Sequence, residues 1–205
     1  MSALSPRKLR VLPFTFHGYT IWAEMAETDD DWSHASTSIA QDLDLFPIQA
    51  PHVTMIYGVP FEDQDTAVAA FARATEDLPT DLAPFSVVGI TCDTELAGVG
   101  SGKMDMVWAE ITLKPTPEHI DLRSSLILKF CADVENAPDT SSWHPHMSIA
   151  YDIPDGASRL TLPVTFEHIR DRPTLLESRK IERLSLWDMN GSIDQWQRLA
   201  SVDVA

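Results

Sequence analysis

Hydrophobic and polar residues alternate with two different periods along this chain. Short runs rich in β-branched and aromatic residues predict strands at 18–25, 52–57, 85–92, 104–113, 146–151, 181–188 and 195–204. Apolar residues at helical spacing predict helices at 32–45, 65–78 and 117–131. Helices and hairpin-like strand pairs are intermixed, and clean strand–helix–strand units are few, so the pattern favours the α+β class with antiparallel sheets.

Glycine and asparagine mark the turns of two predicted hairpins. Gly98, Gly100 and Gly102 separate the third and fourth predicted strands, which indicates a hairpin with a long tip. Asn190 followed by Gly191 is typical of a tight turn between antiparallel strands. The last two strands are therefore expected to form a closing hairpin.

The length and charge of the chain narrow the classes of partner. A chain of 205 residues suits one domain, and we expect residues 1–205 to form a single bilobal unit. Asp and Glu number 31 against 15 Lys and Arg, which gives a formal net charge of -16. This charge repels long nucleic acids, which bind through basic surfaces, but a few local donors suffice for a small phosphorylated ligand. A surface adapted to solubility or to a salty cytoplasm would have the same composition.

The chain has two cysteines, Cys92 and Cys131, and neither belongs to a Cys-x-x-Cys motif. A disulfide framework is therefore not expected, although a single bond between these two residues stays open. The sequence has no signal-peptide pattern and no apolar run of membrane-spanning length. We expect a cytoplasmic monomer that does not bind membranes.

Two short motifs match each other, His-Val-Thr at 52–54 and His-Met-Ser at 146–148. Each follows a proline directly, and each leads to a tyrosine five positions after the histidine, Tyr57 and Tyr151. Residues two apart in a strand project from the same face, so each motif presents an imidazole and a hydroxyl on one surface. The intervening residues would face the core.

Such a pair of motifs has the groups needed to open a cyclic phosphodiester. One histidine can deprotonate water while the other protonates the departing sugar oxygen, because imidazole titrates near neutral pH. The hydroxyls of Thr54 and Ser148 would donate hydrogen bonds to the non-bridging phosphate oxygens. This chemistry needs no metal or other cofactor. The alternative is that both histidines simply form hydrogen bonds at strand ends.

At these residues the chain resembles the two-histidine phosphoesterase superfamily. The segments PHVTMIYG and HPHMSIAYD are similar to the two active-site strands of its cyclic nucleotide phosphodiesterase branch, and YTIWAEM is similar to the first strand. The resemblance spans roughly residues 18 to 200. It implies a bilobal α+β fold in which two antiparallel β-sheets line a central cleft and the helices lie outside.

The resemblance also implies roles for individual residues. His52 would be the acid that protonates the leaving oxygen and His146 the base that activates water, although the roles depend on how the ligand is oriented. Thr54 and Ser148 would hold the phosphate.

Trp22 and Tyr151 match positions that flank the substrate in similar proteins, where an aromatic ring can stack on a base. Core packing is the alternative for Trp22. Simple strand alternation places Tyr151 on the wrong face, unless the strand bends near Ala150.

The function expected from these residues is hydrolysis of a cyclic phosphodiester in a small nucleotide to a phosphomonoester. The small substrates of the superfamily include 2′,3′-cyclic nucleotides and ADP-ribose 1″,2″-cyclic phosphate. Two alternatives stay open: an RNA-end-processing phosphoesterase or ligase-like protein, and a nucleotide-binding module without turnover.

Two other patterns carry less weight. The segment 98–103, GVGSGK, resembles a phosphate loop, but three residues instead of four separate its first glycine from Gly-Lys, and Met104 follows. His144 and His146 have the spacing of some metal ligands, yet the sequence offers no third ligand cluster. No metal site is therefore expected.

Overall fold

A computed structural model describes residues 16–25, 30–45, 47–79, 82–99, 102–135, 143–152 and 159–204. The strands in this part of the chain are β1 Tyr19–Met25, β2 His52–Val59, β3 Ser86–Val99, β4 Gly102–Lys114, β5 His146–Asp152, β6 Ile181–Asp188 and β7 Gln197–Asp203. The helices are α1 Asp30–Leu43, α2 Gln64–Ala74, α3 Pro117–Phe130 and α4 Leu162–Ile169. None of these helices is long and apolar enough to cross a membrane.

The strands form one antiparallel sheet in the order β3-β4-β5-β2-β1-β6-β7. In its middle, β2 and β5 pair through Val53 and Met147, whereas β1–β2 and β4–β5 pair over several residues each. The expected α+β class and antiparallel pairing are therefore confirmed. The two sheets expected from the sequence are the two halves of this single sheet, which meet at the Val53–Met147 pair.

The motif strands β2 and β5 each contain a β-bulge at the same distance from the histidine. In β2, Thr54 lies opposite Trp22 and Ile56 lies opposite Ile21, so Met55 is an extra residue. In β5 the equivalent extra residue is Ile149. A bulge reverses the alternation of faces beyond it, so the residue five positions after each histidine returns to the face of that histidine.

One hydrophobic core covers the other face of the sheet. The residues predicted to point inward from the two motif strands, Val53, Met55, Met147 and Ile149, are at most 1% exposed. They share this core with apolar residues of α1, α2 and α3. The predicted inward side of both strands is therefore confirmed, and the opposite side remains for polar groups.

Several features of the fold differ from the prediction. Residues 189–196, which include a 3-10 helix at Ile193–Gln195, connect β6 to β7 in place of the tight turn predicted at Asn190-Gly191. The strands β3 and β4 continue to Val99 and Gly102, so the predicted long tip belongs largely to the strands, and positions 100–101 lie outside the described residues. Helix α4 was not predicted, because its sequence LPVTFEHI is short, contains β-branched residues and has few helix-favouring ones. Its cap is Thr161, whose hydroxyl accepts a hydrogen bond from the Val164 amide.

Helix α1 ends two residues earlier than predicted. Asp44 adopts a φ of 61°, in the left-handed region that usually follows a helix end. The Leu45 amide then donates to the Ala40 carbonyl at 2.7 Å, which closes the last turn.

Candidate active site

The two motifs lie side by side where β2 meets β5. Because Val53 pairs with Met147 in an antiparallel ladder, the residues on either side of each point to the opposite face of the sheet, away from the core. The charge of His146 contributes to the pKa of His52, so the two rings lie within electrostatic range. This surface, the histidine face, carries His52, Thr54, His146 and Ser148.

Both imidazole rings are anchored in the same way. Nδ1 of His52 lies 2.8 Å from the carbonyl oxygen of Ala50, and Nδ1 of His146 lies 3.0 Å from that of His144. A carbonyl only accepts, so Nδ1 carries the proton in both rings. The residue between the histidine and its carbonyl partner is proline in both motifs. Neither Nε2 atom has a hydrogen-bond partner among the described residues, which leaves this nitrogen for a substrate.

The environment of His52 keeps its ring neutral. His52 is 4% exposed, and its ring lies flat on Trp22, with centroids 3.5 Å apart. Burial, and to a smaller extent the charge of His146, lower the pKa of His52 to about 3, against the opposing effect of its bond to Ala50. At neutral pH, His52 is therefore a proton acceptor.

Trp22 does not have the open position expected from the sequence. It is 1% exposed, with His52 stacked on its ring and the centroid of Trp187 4.3 Å away. The edge of Trp196 also contacts it. The tryptophan therefore supports His52 from inside the fold and has no free ring face for a base. This burial favours core packing, the alternative expectation for Trp22.

Tyr151 lies on the histidine face because of the bulge at Ile149. The bulge is the bend near Ala150 that brings Tyr151 to this face. Tyr151 lies opposite Trp108 of β4. The hydroxyl of Tyr151 donates to Ser148 Oγ at 2.9 Å, so the hydrogen of Ser148 is free to be donated elsewhere. Burial is the main cause that raises the pKa of Tyr151, which keeps this donor protonated. Its contact with a substrate stays a prediction.

Sequence reasoning missed Glu110, a buried carboxylate beside the second motif. Glu110 lies opposite Ser148 in the β4–β5 pair, and its oxygens are 3.5 Å from His146 Nδ1 and 3.2 Å from His144 Nε2. An acidic residue within the apolar strand sequence MVWAEITL was the available signal. His144, which had metal-ligand spacing, contacts this carboxylate. Within the described residues, no group of three or more His, Cys, Asp or Glu side chains is placed to hold a metal ion.

A second buried carboxylate, Glu24, lies in the other half of the sheet. It accepts hydrogen bonds from Ser185, Trp187 and Arg198. A cavity of about 340 Å³ adjoins it. Other residues lining this cavity are Trp32, Gln49, Ala50 and Pro51, the last of which directly precedes His52.

An antiparallel α+β fold with two histidine–hydroxyl pairs on one face defines the class of two-histidine phosphoesterases. The family model described as "2'-5' RNA ligase superfamily" matches residues 14–192. The chain therefore belongs to the 2′-5′ RNA ligase superfamily, the group of two-histidine phosphoesterases, which places it among enzymes of phosphoester chemistry. No curated protein matches the chain.

Solved structures with similar folds are distant in sequence. A protein described as a phosphoesterase is 12% identical, with a TM-score of 0.46 over 92% of this chain and 98% of that one. LigT from E. coli in apo form is 12% identical, with a TM-score of 0.47 over 93% and 98%. The same protein in complex with 3′-AMP is 12% identical, with a TM-score of 0.48 over 92% and 98%.

Proposed function

We propose that this protein hydrolyses a cyclic phosphodiester in a small nucleotide to a phosphomonoester, without a metal ion. The observation that carries the proposal is the meeting of the two imidazole–hydroxyl pairs at the β2–β5 junction. A phosphate between the two pairs would have a base, an acid and two hydroxyl donors around it.

In this mechanism His52 is the base and His146 the acid, the reverse of the roles that the family resemblance implies. The low pKa of His52 supports this assignment, because the ring starts neutral with its Nε2 lone pair available. A base with a pKa of about 3 is weak, but a bound phosphate brings negative charge close to the ring and favours its protonation. His52 then takes a proton from water, and His146 gives one to the departing sugar oxygen.

The hydroxyls of Thr54 and Ser148 stabilise the charge that develops on the non-bridging oxygens. The Thr54 hydroxyl has no hydrogen-bond partner among the described residues, so it is available as a donor. Ser148 accepts from Tyr151, which turns its own hydrogen toward other acceptors. Two donors of this kind favour the transition state more than the ground state when they are aimed at the developing charge.

A small nucleotide suits this protein better than long RNA. The net charge of -16 opposes polyanion binding. The cavity beside Glu24 has the volume of a small-molecule site, and it adjoins Pro51, next to the proposed base. We propose 2′,3′-cyclic nucleotides or ADP-ribose 1″,2″-cyclic phosphate as substrates for a cytoplasmic monomer.

A second candidate is the processing of RNA ends, which the description of the matching family favours. The two functions share the acid–base chemistry and differ in the length of the nucleic acid bound. RNA binding that weakens steeply with salt would identify the second candidate.

Turnover of 2′,3′-cyclic nucleotides by purified protein tests the proposal. We expect hydrolysis by the wild type and a loss of at least about 100-fold in kcat for His52→Ala and for His146→Ala. His168→Ala, a histidine on α4 that contacts Asp42, is the matched control and is expected to keep the wild-type rate. Unchanged rates in either motif variant would contradict the mechanism. Tight nucleotide binding without turnover would identify a binding module instead.

A further inference from the structure

The two buried carboxylates on the histidine face differ in what balances their charge. Glu24 and Glu110 are each 2% exposed. Glu24 has two arginine neighbours, with Arg198 at 2.9 Å and Arg183 at 3.9 Å. Arginine stays charged at any physiological pH, so Glu24 has permanent compensation.

Glu110 has no arginine partner in the part of the chain that the structure describes. Among the described residues its ion-pair neighbours are His144 and His146, and no lysine or arginine pairs with it. Burial of a carboxylate is costly unless hydrogen bonds or an opposite charge offset it. The remaining neutral donors to its oxygens are Trp108 Nε1 at 2.6 Å and the hydroxyls of Thr91 and Thr112, each at 3.2 Å.

These contacts fix the carboxylate against the ring of His146. Trp108 and His146 lie at Oε2, whereas Thr91, Thr112 and His144 lie at Oε1. Nδ1 of His146 thus donates to the His144 carbonyl at 3.0 Å, and Oε2 of Glu110 lies 3.5 Å from the same nitrogen. With Nδ1 held on that side, the opposite nitrogen, Nε2, faces away from Glu110.

Glu110 also breaks the symmetry between the two halves of the site. The residue opposite the motif hydroxyl is Trp22 in the first half and Glu110 in the second. His52 therefore lies on an aromatic ring, and His146 lies near a carboxylate. A negative charge near an imidazole favours its cationic form, whereas burial on an apolar ring favours the neutral one.

We propose that Glu110 is a positioning residue that orients His146 and stabilises its protonated form, so that His146 is the acid of the pair. This inference rests on the proposed function and assigns the direction of proton flow within it. His146 loses its Nε2 proton to the departing oxygen and keeps its Nδ1 proton, which it donates to the His144 carbonyl beside Glu110. The carboxylate itself transfers no proton.

The other titratable groups near Glu110 are uncharged at neutral pH. Cys92 on β3 and Tyr151 on β5 have pKa values raised first by burial and, to a smaller extent, by the charge of Glu110. His144 contacts Oε1, and its side chain is 67% exposed. The two histidines are therefore the ion-pair neighbours of this carboxylate in the described residues.

Glu110→Gln is the principal test, because it keeps the shape of the side chain and removes the charge. We expect kcat for a 2′,3′-cyclic nucleotide to fall about 10- to 100-fold with a change of less than about threefold in KM, as for other groups that orient a catalytic residue. In a His146→Ala background the same substitution is expected to have no further effect on kcat. An unchanged kcat, or a full additional loss in the His146→Ala background, would overturn the proposal.

Glu167→Gln is the control, since it removes the charge of a carboxylate on α4, whose partner is Arg170 at the end of the same helix and not a residue of the histidine face. It is expected to leave kcat within about threefold of wild type. Glu110→Asp keeps the charge and is expected to retain more activity than Glu110→Gln. If Glu110→Gln is unfolded, Trp108→Phe, which removes the donor at Oε2, takes its place. Wild-type kcat in Trp108→Phe would then contradict the proposal.

Nitrogen-15 NMR of the histidine rings separates this inference from the proposed function. At the same mildly acidic pH, a smaller share of His146 rings is expected to carry both protons in Glu110→Gln than in wild type, and His168 is expected to be unchanged. If the wild type hydrolyses no cyclic phosphodiester, the proposed function fails, while this ring measurement still decides the role of Glu110. Identical His146 spectra in the two proteins would refute it.

Discussion

The ring of His52 lies on the ring of Trp22, with centroids 3.5 Å apart and planes inclined by 11°. Trp22 is in turn held by Trp187 and Trp196. The position of one proposed catalytic group is therefore determined by packing within a cluster of tryptophans. Its partner His146 is instead held by polar contacts, and this difference leads to separate predictions for the two halves.

Replacement of Trp22 is expected to act on stability and on activity together. Trp22→Ala removes a buried ring and is expected to cost about 3–5 kcal/mol in the free energy of unfolding. Trp22→Phe keeps an aromatic face under His52 and is expected to cost less and to retain part of the turnover. Urea unfolding and kcat measured on the same preparations check this. Full activity in a folded Trp22→Ala protein would show that the stack does not position His52.

The stability of the fold is expected to depend on pH through His52. Its pKa is 6.5 in the unfolded chain and about 3 in the folded protein, so between these values the unfolded state binds one more proton. The stabilising contribution is complete above pH 6.5 and falls by up to about 1.4 kcal/mol for each pH unit below it. His52→Gln lacks this proton. The free energy of unfolding of wild type and of His52→Gln can be measured in urea at several pH values. As pH falls below 6.5, wild type is expected to lose more stability than His52→Gln. The same pH dependence of stability in both proteins would contradict the low pKa of His52.

Tyr151→Phe is expected to lower kcat without unfolding the protein. The substitution removes the hydroxyl that donates to Ser148, and the loss of one such hydrogen bond costs about 1 kcal/mol, or roughly fivefold in rate. Tyr57→Phe is the control at the same offset in the other motif, where the side chain is 50% exposed. Steady-state kinetics with a cyclic nucleotide measures both variants. Equal kcat values for Tyr151→Phe and wild type would exclude a role for this contact.

Arg123 is expected to contribute to stability through the bulge of β2. This buried arginine on α3 donates from Nε to the carbonyl of the extra residue Met55 at 2.9 Å. Arg123→Met removes that donor, and an unsatisfied buried carbonyl costs about 1–3 kcal/mol. Arg73→Met breaks an exposed ion pair with Asp133 and is expected to cost less than about 1 kcal/mol. Thermal unfolding measures the loss of stability in each variant. A smaller loss of stability in Arg123→Met than in Arg73→Met would refute the expectation.

The sequence is most informative where local pattern and tertiary position agree. The bounds of β6 agree with the prediction at both ends, because Ile181 to Asp188 is rich in apolar residues and Asn190 and Gly191 follow soon after it. The two motifs were likewise visible, since residue type, preceding proline and strand alternation all repeat.

The remaining features depend on pairing between strands. A bulge adds one residue to one strand, and nothing in the β5 sequence shows that Ile149 is that residue, so the face of Tyr151 could not be predicted from alternation. The substrate contact predicted for Trp22 comes from a resemblance in sequence, and a resemblance in one strand does not show that Trp187, which belongs to β6, covers the ring. Glu110 was missed because a lone acid in an apolar strand has no sequence partner; its neighbours come from β3, β5 and the segment before β5.

The Val53–Met147 pair has a consequence for how a ligand affects the whole molecule. In the described residues the two halves of the sheet share a single residue pair there, and each histidine–hydroxyl pair flanks it, His52 and Thr54 on β2 and His146 and Ser148 on β5. A phosphate bound by both pairs would add a second link between the two halves of the sheet, on the histidine face. Ligand binding would then stabilise the pairing of β2 with β5, which is the least hydrogen-bonded strand pair of the described sheet.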